Sequence, residues 1–175
     1  MNVLFNRKTI QAQVETLALS ISEEHYDDPT PVVFICLLNG GYMFFTDLTR
    51  EIAFPIECEF MRVKSYVSKK KQGDIQITKD LETPVTGKHI YIVDDIYDTG
   101  NTMKAVAEYL HIKEPASINM VTLTKRRENK INPMEIPYIR SFLYGFEIND
   151  EWIIGYGCDK EDGTGRNIPG ILANI

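Results

Sequence analysis

Three carboxylates and a short run of small polar residues stand together in Asp94-Asp95-Ile96-Tyr97-Asp98-Thr99-Gly100-Asn101-Thr102. Thr99 and Thr102 carry hydroxyls, and Gly100 allows close backbone approach to a ligand. At a helix N-terminus such a turn offers free N–H groups to an anion and suits a phosphate monoester. Asp94 and Asp95 would repel that anion unless something offset them. A divalent cation does so, and ribose hydroxyls are the other natural partners of carboxylate acceptors. The turn therefore fits a sugar phosphate with Mg²⁺ better than a bare nucleoside triphosphate, and no GxxxxGK[ST] run occurs. The same residues also read as an N-cap followed by solvated acids, so the flanking elements have to decide.

Before the turn, His89-Ile90-Tyr91-Ile92-Val93 has the continuous apolar, β-branched pattern of a buried parallel strand. After it, Met103, Val106, Ala107 and Leu110 recur at helical spacing. Strand, polar turn and helix together put a ligand at the carboxyl edge of a parallel sheet. A second unit of the same kind precedes it. Val32 to Leu38 is a core strand, Asn39-Gly40-Gly41 a turn, and Phe44, Phe45, Leu48 and Ile52 form a helical stripe. Alone, Gly-Gly is a tight βα turn. Two anion-ready turns in one small sheet fit a ligand with phosphate groups at opposite ends.

On these residues, IVDDIYDTGNT resembles the phosphoribosyl-diphosphate (PRPP) signature of type I phosphoribosyltransferases. From about Val32 to Ile171 the chain is similar, in order, to their hypoxanthine-guanine branch. The resemblance implies one α/β domain over residues 1–175. It would have three layers: a mainly parallel five-stranded sheet, helices on both faces, and a small hood over the carboxyl edge. The hood would comprise residues about 144–175 with the chain's start, and a flexible lid would span about 65–82. Ser65 and Tyr66 match the start of the family's closing loop; composition alone reads Lys69 to Asp74 as a solvated surface loop.

The implied reaction transfers 5-phosphoribosyl from PRPP to a 6-oxopurine. Asp98 would be the general base, with Thr99, Gly100, Asn101 and Thr102 around the 5′-phosphate. Asp94 and Asp95 would hold the ribose hydroxyls, directly or through Mg²⁺, and Asp159 would reach a second Mg²⁺. Leu38, Asn39 and Gly40 would bind the diphosphate, through a non-proline cis peptide at Leu38-Asn39, with Arg166 as a further contact. Lys125 would donate to the base O6, and Ile153 would supply backbone contacts. Trp152 would stack on the purine, although by residue type it reads equally as a core aromatic.

Three departures stand out. Asn39 and Asp94 replace the Lys and Glu more common in the family, and Lys160 to Gly165 lacks the usual aromatics and is one residue longer. Lys125 disfavours adenine, but hypoxanthine, guanine and xanthine differ at the 2-position, which backbone atoms read. A PRPP-sensing regulator without catalysis is the alternative from another class.

Elsewhere, Ile10, Val14, Leu17 and Ile21 mark an amphipathic helix over about 7–23. A net charge of −6 disfavours nucleic acid or an anionic membrane as partner. No apolar run approaches the roughly 18 residues of a membrane span, and MNVLFNRKTI has no signal-peptide core, so the expected location is cytoplasmic. Cys36, Cys58 and Cys158 read as buried free thiols; Arg126 and Arg127 read as a solvated basic face. His25, His89 and His111 are scattered and carry no assignment. By resemblance the chain forms a homodimer or homotetramer.

Overall fold

The computed structural model describes residues 2–65, 75–129 and 131–174. In chain order the strands are β1 (Asn2–Phe5), β2 (Val32–Leu38), β3 (Glu57–Ser65), β4 (Ile75–Lys79), β5 (His89–Tyr97), β6 (Ser117–Arg126), β7 (Ile139–Ile148), β8 (Trp152–Ile154) and β9 (Ile171–Asn174). The helices are α1 (Arg7–Glu24), α2 (Tyr42–Glu51) and α3 (Asn101–His111). Tyr66 and the tip of the expected lid lie outside the described residues.

The main sheet has the order β4-β3-β2-β5-β6-β7. Its five parallel strands match the expectation; a sixth, β4, joins antiparallel on β3 as the chain returns. Alternation along β2 feeds two cores. Val32, Phe34 and Cys36 pack with α1 and α2, through Ile10, Val14, Phe44 and Leu48. Val33, Ile35 and Leu37 pack on the other face with Met103, Val106 and Leu110 of α3. Full burial of each large apolar side chain contributes about 1.5–3 kcal/mol, which fixes the three layers.

The helix α1 starts at Asn6, whose side chain accepts from the Thr9 N–H at 3.0 Å. From β2 the chain crosses through α2 to β3 on one side; from β5 it crosses through α3 to β6 on the other. The carboxyl ends of β2 and β5 are thus the topological switch point, where open parallel sheets form their crevice.

A second sheet, β1-β9-β8, is antiparallel and forms the hood from the two ends of the chain. Residues 144–148, expected in the hood, belong instead to β7, where Tyr144 to Ile148 pair in register with Thr122 to Arg126. Cys36 and Cys158 are buried, but Cys58 is exposed. It alternates with buried Glu59 and Met61 and shares its face of β3 with exposed Phe60. No described helix is long and apolar enough to cross a membrane.

Candidate active site

The Asp94–Thr102 turn leaves the sheet at its centre. Gly100 caps α3 with φ 84°, a left-handed conformation that glycine adopts without strain. Gly100 supplies no side-chain cap, and the Thr99 hydroxyl accepts the first N–H of α3, that of Asn101, at a long 3.4 Å. This end of α3 borders a cleft of about 410 Å³ lined by Asp94, Asp98, Thr99, Gly100, Asn101 and Thr102, among others.

A smaller pocket of about 170 Å³ adjoins it under the hood. Asp95, Asp98, Arg126, Trp152, Ile153 and Asp159 are among its walls. Asp98 lines both cavities. Trp152 is 53% exposed, so it is a wall and not a core aromatic, and its Nε1 donates to the Asp159 carbonyl at 3.3 Å.

The paired carboxylates differ in their surroundings. Burial, and then the neighbouring Asp95 charge, raise the Asp94 pKa well above the usual carboxylate range. The Asp94 Oδ1 accepts the Asp95 N–H at 3.0 Å. Asp95 is fixed from several directions. The Cys158 thiol donates to its Oδ2 at 3.3 Å, and the Thr124 hydroxyl donates to its carbonyl at 3.0 Å. Burial and the Asp95 charge push Cys158 up, which keeps it a thiol donor. A Cβ on Gly40 would lie 2.0 Å from the Asp95 Oδ2, so only glycine lets this loop sit against that carboxylate.

Leu38-Asn39 is a cis peptide. Asn39 Oδ1 accepts from Arg62 Nη2 at 3.0 Å. Arg62 sits opposite Leu38 in the β2–β3 register and brings a guanidinium to the loop that lacks the family's Lys. The altered Lys160–Gly165 segment closes as a tight turn. Lys160 N donates to the Thr164 carbonyl at 2.9 Å, and Asp162 accepts from Thr164 N at 2.8 Å. The turn returns Arg166 to the site, where it pairs with Asp159 and donates to the Gly157 carbonyl at 2.6 Å.

Two basic neighbours part company. Lys125 is not among the described residues lining either cavity. Its Nζ lies 3.6 Å from Glu147 and over the Tyr144 ring. Arg126, expected on a solvated face, is 14% exposed and bonded to Asp98. Arg127 is exposed, and pairs with Glu147. Arg126, Arg62 and Cys158 face the site although their residue types and neighbours in sequence did not place them there. For Arg62 the available signal was its place at the carboxyl end of β3, beside the glycine loop.

A family model described as the phosphoribosyl transferase domain matches residues 3–161. This chain belongs to the phosphoribosyltransferase family. The phosphoribosyltransferase is 38% identical over 173 residues to hypoxanthine-guanine-xanthine phosphoribosyltransferase of Tritrichomonas foetus, covering 97% of this chain and 90% of that protein. It is 35% identical over 161 residues to hypoxanthine phosphoribosyltransferase of Haemophilus influenzae, covering 91% and 87%. Among solved structures, the hypoxanthine phosphoribosyltransferase of Trypanosoma cruzi in complex with the product IMP superposes with a TM-score of 0.87 at 28% identity. That match covers 99% of this chain and 93% of the other.

Proposed function

We propose that this phosphoribosyltransferase acts in purine salvage, moving the 5-phosphoribosyl group of PRPP to hypoxanthine and to guanine. The observation that carries this reading is the position of Asp98, at the junction of a phosphate-suited cleft and a hood-covered pocket. A base in the pocket and a phosphoribosyl group in the cleft would meet beside that carboxylate.

The reaction forms a bond from N9 to C1′ and breaks the bond from C1′ to diphosphate. The base loses a proton, and Asp98 would accept it from N7 as N9 attacks. Thr99, Gly100, Asn101 and Thr102 would cradle the 5′-phosphate at the N-terminal end of α3. Leu38, Asn39 and Gly40, with Arg166, would bind the diphosphate. Trp152 would stack on the purine, and Ile153 would meet its edge through the backbone. Lys125 would donate to O6 by leaving Glu147, 3.6 Å away, and swinging toward the hood pocket, which it does not line in this conformation. A 6-amino group does not accept that bond, so adenine is discriminated against.

The residues fit Mg²⁺. Asp94 and Asp95 crowd two carboxylates together, and the raised Asp94 pKa marks a charge that a cation would relieve. Asp94, Asp95 and Asp159 would hold it. They do not converge as a ready-made set of three ligands among the described residues; Mg²⁺ characteristically takes its remaining ligands from substrate oxygens and water. When bound, it supplies neutralising charge for the diphosphate leaving group. From the resemblance we further propose a cytoplasmic homodimer or homotetramer.

The test is a steady-state assay with PRPP and Mg²⁺ against hypoxanthine, guanine, xanthine and adenine, with kcat/KM for each. Turnover of hypoxanthine and guanine, with adenine inert, is the expected result. Xanthine exceeding both would move the assignment to a xanthine enzyme. PRPP binding without turnover of any base would overturn the catalytic reading in favour of a sensor.

A further inference from the structure

A second group of chemically capable side chains lies at the opposite edge of the sheet. His25 caps the C-terminus of α1, Asp28 lies in the connection to β2, and His89 opens β5. One ligand atom of each lies within 4.8 Å of the other two. At about 3.3 Å per strand residue, His89 stands roughly 17 Å from Asp94. The cluster is therefore separate from the carboxylates that face PRPP.

The hydrogen bonds around it settle which atoms are free. The Tyr91 hydroxyl donates to Glu24 Oε2 at 3.0 Å, so its oxygen accepts from His25 Nε2 at 2.9 Å. His25 therefore carries its proton on Nε2 and a lone pair on Nδ1. That Nδ1 has no partner, and among the described residues it is the one buried side-chain nitrogen or oxygen left so. His25 is only 5% exposed, which bars bulk water from satisfying it.

The other two groups are held at their far ends. His89 Nδ1 meets Ser117 Oγ at 2.7 Å, and its Nε2 points to Asp28 Oδ2 at 2.9 Å. Asp28 Oδ1 accepts the Thr30 N–H at 2.9 Å. Each ring thus has one nitrogen oriented by an outer partner and one turned inward, as metal-binding histidines do.

We propose that His25 Nδ1, His89 Nε2 and Asp28 Oδ2 form a binding site for a Zn²⁺-type divalent cation. Two neutral imidazoles and one carboxylate suit zinc and discriminate against Mg²⁺, a hard ion that prefers oxygen. Bonds of about 2.0 Å imply ligand separations of roughly 3.3 Å in a tetrahedral site, so modest side-chain movement would close the cluster. The Asp28 side chain is 36% exposed, which leaves the fourth position open to water. In the metal-bound form the single proton of the neutral His89 ring would sit on Nδ1, facing Ser117 Oγ, leaving the Nε2 lone pair for the cation. The cation would tie the end of α1 to the start of β5, beneath the sheet and not in its catalytic edge.

The test uses the full chain in excess Mg²⁺, titrated with Zn²⁺ and followed by bound metal and by thermal unfolding. A parallel sample with Co²⁺ reports coordination by visible absorption. Wild type should hold a single equivalent of zinc, unfold at a higher temperature with it, and give the intense bands of four-coordinate Co²⁺. Asp28→Asn, in an exposed connection, and His89→Gln should each weaken zinc at least about tenfold, whereas Asp95→Asn should retain it. No retained zinc in wild type would overturn the proposal. So would equal retention in a folded Asp28→Asn, or loss in Asp95→Asn.

Discussion

Arg126 Nε donates to Asp98 Oδ1 at 2.8 Å, and its Nη1 donates to the carbonyls of Asn149 and Glu151 at 2.7 and 3.2 Å. One guanidinium thus ties the proposed general base to the turn that leads into the hood. Asp98 itself is 55% exposed and would otherwise sample several rotamers.

Arg126→Gln should therefore lower kcat more than it raises KM for PRPP. A hydrogen bond to a charged group contributes about 1.5–3 kcal/mol, which corresponds to roughly ten- to hundredfold in rate. Separate determination of kcat and KM checks this. A change confined to KM would assign Arg126 to binding and not to positioning Asp98.

Asp98→Asn keeps the size of the side chain and its ability to accept from Arg126 but removes the basic oxygen. Turnover should fall by about 10²–10⁴, with PRPP affinity by calorimetry nearly unchanged. An unaltered kcat would remove the proton-acceptor role.

Gly40→Ala forces a methyl group onto the Asp95 carboxylate, which accepts from the Cys158 thiol while the Thr124 hydroxyl holds the Asp95 carbonyl. Overpacking of this kind costs about 1–3 kcal/mol. The loss should appear chiefly as weaker PRPP binding, because the loop and Asp95 have to separate. Calorimetric titration of PRPP against wild type and variant reads it directly; equal affinities would show that the loop yields freely.

Asp94→Asn should stabilise the metal-free protein at neutral pH. The folded pKa of Asp94 is raised, so its contribution to folding is fullest below the ordinary value of 3.8 and is lost as pH rises toward the folded value. The amide never ionises and escapes that loss. Its Tm should exceed wild type near pH 7, and the gap should close near pH 4. Calorimetric scans at the two pH values check the sign, and the variant should bind PRPP more weakly. Identical melting at neutral pH would mean that Asp94 ionises without penalty.

Much of this architecture is legible in local sequence. The runs Val32–Leu38 and His89–Val93 and the stripe from Met103 to Leu110 carry strand and helix signals unmixed, and the glycine turns between them mark the carboxyl edge. Residue facing near that edge is not legible. Tyr91 and Val93 pack toward α1 and α2, and so does Ile96; Ile90 and Ile92 pack toward α3, and so does Tyr97. Alternation slips by one residue at Asp94–Asp95. The neighbouring strands follow, since Leu143 and Phe146 of β7 face the same core. Strict alternation from Val121 and Leu123 would aim Lys125 at the hood, whereas after the slip Arg126 faces it. The convergence of His25 with His89, and of β1 with β9, depends on long-range packing that no local window contains.

The hood's connectivity sets an order of events during synthesis. β9 is the middle strand, between β1 from the chain's start and β8, which carries Trp152. Strands β2 to β6 and the turn at Asp98 emerge from the ribosome well before it. A nascent chain would thus complete its proposed phosphate-binding half while the wall of the proposed base pocket still lacked a backbone partner. Specificity for the base would follow phosphate binding, acquired when residues 171–174 pair with β1 and β8.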